Sequence, residues 1–134
     1  LTLGEVDERE GEMMRQVLAM LIVMATASEV FAMWQLYKED QNVIASFDYD
    51  SFASFQGKPA VWVRWQYVTP REGVGGMKIQ FTADCAAHKL YEIASNPYDQ
   101  QGNYLTPSRN YDNPKEYATP AGSLNEATYK LLCR

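Results

Sequence analysis

Few residues in this chain have the types and spacing to do chemistry. Cys85 and Cys133 are the only cysteines. An even count favours a disulfide in an oxidising compartment, the other reading being two unpaired buried thiols. Cys85 and His88 stand at C-x-x-H spacing, but a structural zinc site wants four ligands and no second such pair follows. His88, the sole histidine, falls between two apolar runs and reads as an exposed turn residue. It has no evident Ser, Cys or Asp partner that would make it a catalytic base. Asp48 and Asp50 lack the spaced oxygen ligands of a calcium loop and read as turn-capping side chains. Arg64 reads as a local stacking or pairing residue beside Trp62. No nucleophile–base pair, metal-ligand set or cofactor motif emerges, so the expectation is a non-enzymatic protein that works by binding, without metal or cofactor.

Binding chemistry is better represented. All nine tyrosines and all three tryptophans lie beyond residue 33. Most belong on strands, which favour aromatic side chains. Tyr98, Tyr104, Tyr111 and Tyr117 differ, because they sit among Asn, Asp, Gln, Pro and Gly. Tyrosine in a polar loop is a recurrent recognition anchor, apolar along the ring and hydrogen-bonding at its tip. These four are the candidate partner-binding residues, with Pro107 and Pro114 limiting the freedom of their backbone. The competing reading is a lid of tyrosines folded over the core. An open sheet edge beside them would also accept a strand, from a protein partner or from a second copy as a homodimer.

The elements that must position these residues are strands. Val61, Val63, Trp65 and Tyr67 alternate with Trp62, Arg64 and Gln66; Ile79, Phe81, Ala83 and Cys85 alternate with Gln80, Thr82 and Asp84. Period two with aromatic and β-branched residues marks half-buried strands of an antiparallel meander. Residues 34–37 and 43–47 read as two earlier strands, with Phe52 and Phe55 tucked beneath the turn at 48–51. Residues 69–76 carry three glycines and read as a flexible hairpin loop. A further strand covers 89–95, interrupted by Asn96-Pro97; residues 98–104 form a second hairpin turn. An edge strand follows over 105–111, then a loop over 113–121. Ser123 and Glu126 form a capping box. Leu124, Ala127, Thr128 and Leu131 then line one face of a helix that is too short to stand alone. The whole is α+β: a small antiparallel sheet of five or six strands with one C-terminal helix packed on it.

The 134 residues, 46% of them hydrophobic, make one domain at most. Of the net charge of −5, most resides in residues 1–32, with six acids and two bases; the remaining 11 acids and 10 bases leave −1. Such a near-neutral domain lacks the clustered Lys and Arg that nucleic acid requires. Residues 14–32 have the layout of a secretory signal peptide: Arg15, an apolar run from Val17 to Ala27, then small residues, with cleavage expected after Ala32 or after Ala27. No cysteine follows either point, which argues against lipidation, and no stable membrane insertion is expected after cleavage. Residues 1–13 are acidic and read as an upstream gene-start extension, with translation beginning at Met13 or Met14. The mature domain is 33–134.

Several short motifs stand in a familiar order: Asp48-x-x-Ser51-Phe52, Val61-Trp62-Val63, Asp84-Cys85 before an apolar strand, and Tyr98-Asp99-x-x-Gly102. The ending is Pro120-x-x-Ser123-x-x-Glu126-Ala127-x-x-x-Leu131-x-Cys133. With these the chain resembles the surface-adhesin protein E family, small exported domains of Gram-negative bacteria. The resemblance implies an antiparallel sheet whose C-terminal helix is tied back by a disulfide. It also implies a binding role in the periplasm or at the outer cell surface, typified by attachment to host matrix or plasma proteins. The alternative is a periplasmic, envelope-associated factor with no host ligand. Where relatives often carry an aromatic-Arg pair after the first cysteine, this chain has Leu90-Tyr91-Glu92.

Overall fold

The computed structural model describes residues 33–134. The expected extension and signal peptide lie outside the described residues. Seven strands, β1 (Trp34–Glu39), β2 (Val43–Asp48), β3 (Ala53–Phe55), β4 (Lys58–Arg71), β5 (Val74–Asp84), β6 (Lys89–Tyr98) and β7 (Arg109–Tyr117), precede one helix, α1 (Leu124–Leu132). They form a single antiparallel sheet in the order β1-β2-β4-β5-β6-β7, with short β3 pairing the start of β4. This is the α+β architecture expected from the alternation, with β3 as the additional strand.

The sheet has a core face and an opposite face. Val61 and Val63 on β4, Ile79, Phe81 and Ala83 on β5, and Leu90 on β6 are buried on the first, against Tyr129, Leu131 and Leu132 of α1. Removing each large apolar side chain from water is worth about 1.5–3 kcal/mol, so four fully buried ones (Phe81, Leu90, Val61 and Val63) anchor the centre of the sheet. The helix stripe extends the sequence reading: Thr128 and Leu131 are buried as expected, while Tyr129 and Leu132 join them.

A chain of hydroxyls runs through this interface. Trp65 Nε1 donates to Tyr37 Oη at 2.8 Å, Tyr37 and Thr128 are bonded at 2.9 Å, and Thr128 Oγ1 donates to the Leu124 carbonyl at 2.9 Å. Thr128 is fully buried, so satisfying its hydroxyl matters. Burial pushes the Tyr37 phenol up to about 12, only partly offset by its bonds to Thr128 and Trp65.

Three boundaries differ from the sequence reading. The supposed flexible loop at 69–76 is largely strand: β4 runs to Arg71, β5 begins at Val74, and Glu72 and Gly73 (φ 50° and 81°) make a two-residue turn. Positive φ at both positions matches the twist of the flanking strands. Gly75 and Gly76 are therefore strand glycines at close approaches. A Cβ on Gly75 would meet the Asp99 carbonyl oxygen at 2.6 Å, and one on Gly76 would collide with the Tyr98 ring. Second, β6 continues through Asn96-Pro97 to Tyr98. Pro97 pairs with Met77, and on the other side β7 reaches no further than Ser95, so the missing N–H is not needed. Third, the last strand is Arg109–Tyr117 rather than 105–111. It accommodates Pro114 where the pairing to β6 breaks between Glu92 and Ala94.

Candidate functional site

Two motifs at the ends of the sheet act as braces. Asp48 accepts from the Asp50 N–H at 3.1 Å, capping a one-turn 3-10 helix at Tyr49–Ser51. Ser51 Oγ donates to the Asp48 carbonyl at 2.7 Å and accepts from the Trp62 N–H at 2.9 Å, which fastens that turn to β4. At the C-terminus, Ser123 Oγ accepts from the Glu126 N–H at 3.0 Å. Glu126 reaches back to the Gly122 N–H at 3.2 Å, one residue before the cap, and pairs with Lys130 at 3.3 Å. The Gly122 bond, then Lys130, hold the Glu126 carboxyl below its ordinary value.

Cys85 and Cys133 are joined, with their Cα atoms 5.6 Å apart. The bond ties the end of β5 to the C-cap of α1. Closing a loop with a separation of 48 residues contributes about 4 kcal/mol in the chain-entropy picture. Beside it His88, exposed and at φ 57°, packs against Tyr129 with ring centroids 4.2 Å apart and the rings tilted by 43°. Tyr129 donates to the Cys85 carbonyl at 3.2 Å. His88 is thus part of the packing at this corner.

The other end of β5 carries the tyrosine segment. Asp99 organises its turn: the carboxylate accepts from the Gln101 and Asn103 N–H groups at 3.0 and 2.9 Å. Gly102, at φ 83°, donates to the Asp99 carbonyl at 3.0 Å. Tyr98 and Tyr104 face each other across it as an isolated bridge. Residues 100–110 are all exposed. Between this segment and the sheet lies an open cleft of about 670 Å³, floored by Met77, Ser95 and Pro97 and walled by Pro107, Arg109 and Tyr111. Ser95 and Tyr111 are bonded through their hydroxyls at 3.2 Å.

The four candidate tyrosines do not gather at one end: Tyr98, Tyr104 and Tyr111 lie near the Asp99 turn or the cleft, whereas Tyr117 pairs with Leu90 toward the Cys85 end of the sheet. Tyr104 is 54% exposed. Tyr111 is half-buried at the cleft. Tyr117 lies on the core face, edge-on to Phe81, and donates to Glu92 Oε1 at 3.0 Å. Burial, then the Glu92 carboxylate, raise its phenol well above the ordinary value. Tyr98 pairs with Gly76 on the opposite face of the sheet, buried, with its hydroxyl unpartnered among the described residues. Desolvation raises it as well, countered in part by Arg64. Of the four, only Tyr111 lines the cleft, while Tyr104, bridged to Tyr98, has an exposed ring outside it. The sequence reading missed the cleft and the glycine pair that lets Asp99 and Tyr98 come close to β5; two adjacent glycines inside a strand pattern were the available sign of close backbone approach.

β7 forms one edge of the sheet, pairing only with β6 among the described residues. No group of three or more His, Cys, Asp or Glu that would hold a metal ion is found among the described residues. No described helix is long and apolar enough to cross a membrane.

The fold is an antiparallel meander with a C-terminal helix stapled to it by a disulfide. A family model described as surface-adhesin protein E matches residues 34–134, so the chain belongs to the surface-adhesin protein E family. No curated protein and no solved structure gives a significant match. The family suggests an exported or surface protein with a non-enzymatic binding role toward a protein partner.

Proposed function

We propose that this chain is exported from a Gram-negative cell and attaches to a host matrix or plasma protein through the segment Tyr98–Tyr117. The observation that carries the reading is the cleft: an exposed, polar, tyrosine-bearing loop stands over an open cavity next to an unpaired strand edge. A loop braced by Asp99 and Gly102 starts partly ordered, which lowers the entropy cost of docking. Tyr104 supplies the exposed anchor, Arg109 and Asn110 the polar rim, and the outer edge of β7 offers backbone groups to an incoming strand. The same edge would serve a second copy of the chain.

Two experiments test this. Protease treatment of whole cells removes the domain if it is displayed at the surface, as a host-binding adhesin must be. A protected domain would overturn the host-ligand reading and favour the periplasmic envelope factor. Tyr104→Ser should abolish binding to immobilised matrix or plasma proteins while unfolding is unchanged; retained binding would reject the segment as the site.

A further inference from the structure

The face of the sheet opposite α1 bears a second, independent arrangement. Arg64 on β4 and Lys78 on β5 are direct cross-strand partners. Like charges placed opposite each other are unfavourable without a counter-ion, and neither cation joins an ion pair among the described residues. Each is instead held over an indole: the Arg64 guanidinium 4.7 Å from the centre of Trp34, the Lys78 ammonium 4.9 Å from that of Trp62. Next in the same row, Asn96 pairs with Lys78. Beside it Tyr98 lies over Gly76, only 9% exposed. Arg64 Nε, Asn96 Oδ1 and Tyr98 Oη are all buried, and none has a hydrogen-bond partner among the described residues. Three orphaned polar atoms on neighbouring residues, beside two cations without a carboxylate partner, set the chemistry that a ligand of this face would have to match.

We propose that this face binds an acidic oligosaccharide, a sulfated or uronate-bearing sugar chain, with its anionic group on Arg64 and Lys78. A bare anion offers acceptors only, which suits Arg64 Nε but leaves the Asn96 oxygen without a donor. A sugar brings anionic oxygens and hydroxyl donors together, and so answers both. An acidic peptide fits less well, because β4, β5 and β6 are interior strands whose ladders are already paired. A peptide lying across them would leave its own backbone groups unmatched. Gln66 and Gln80, on the same face of β4 and β5, add amides suited to further hydroxyls.

The test is a titration of the purified exported protein with a heparin-derived hexasaccharide, monitored by the Trp34 and Trp62 indole N–H resonances. Binding should shift both signals and weaken as salt rises. Arg64→Gln or Lys78→Gln should lower the affinity about tenfold or more, each removing a charge-assisted contact. Lys78→Gln leaves the Arg64–Trp34 stack in place, so it reads the same loss should Arg64→Gln disturb the fold. The proposal is overturned if the hexasaccharide does not bind, if inorganic sulfate binds equally well, or if polyglutamate binds in its stead. It is equally overturned if Lys78→Gln leaves the affinity unchanged. Tyr104→Ser should leave hexasaccharide binding intact, which separates a failure here from a failure of the cleft as a protein site.

Discussion

At one end of β5, Cys85 is bonded to Cys133, Ser123 caps the helix and Tyr129 packs against His88. At the other end, Gly75 and Gly76 lie under a turn held by Asp99, and residues 100–110 stand in solvent above a cleft. The first end carries covalent closure, satisfied hydroxyls and buried aromatic contacts. The second has a preformed loop but little buried apolar surface. Regions of low local stability are where binding segments are drawn from, because their side chains are free to serve a partner. The sheet is stabilised at one end and leaves its side chains open to solvent at the other, where the proposed contact would form.

The strongest way to break the comparison is at the staple. Replacing Cys85 and Cys133 together by Ser should cost about 2–4 kcal/mol, read as a lowered urea midpoint. Binding by the fraction that remains folded should persist, since the cleft is built from other residues. Loss of binding ahead of unfolding would show that the two ends are coupled.

Alkaline titration probes the hydroxyl chain under α1. The unfolded Tyr37 phenol ionises near pH 10, the native one at about 12, so the native form keeps its proton longer. The stability this supplies is complete below pH 10 and falls, by on the order of 2 kcal/mol, as pH rises through that window. Tyr37→Phe should flatten this limb of the pH profile. An unchanged limb would remove Tyr37 from the account.

A smaller effect is expected at the cap. Ser123→Ala should cost about 1 kcal/mol, measured by chemical denaturation, and more once the disulfide is reduced and the helix end depends on its cap alone. An equal cost in both redox states would mean that cap and staple act independently.

The stabilised end was the more legible in the sequence. Alternation placed Val61, Val63, Ile79, Phe81 and Ala83 on one face, and the Ser123–Glu126 spacing announced the helix start. Such patterns are local, and burial enforces them. Tyr129 escaped because its packing depends on His88 and the Cys85 carbonyl, 41 and 44 residues away in the chain. The contact end was harder to read. Glycine-rich residues 69–76 looked like a loop because a strand glycine that makes room for Tyr98 has the same local signature as a turn glycine. Pro97 looked like an interruption and Pro114 like part of a loop, and only the absence or irregularity of a neighbouring strand lets them stay in β6 and β7. Arg64 read as a local stacking or pairing residue beside Trp62, whereas its guanidinium lies over Trp34 of β1, two strands away. Its pairing with Lys78 needs the register, which no single strand reveals.

The most direct measurement sets binding against stability in the Tyr104→Ser protein. Tyr104 is 54% exposed and has no side-chain hydrogen bond among the described residues, so unfolding should move by no more than about 0.5 kcal/mol. Binding to a panel of immobilised matrix and plasma proteins should be lost. A clear drop in stability with binding retained would contradict the account, because Tyr104 would then belong to a lid over the core and the Tyr98–Tyr117 end would not be the contact surface.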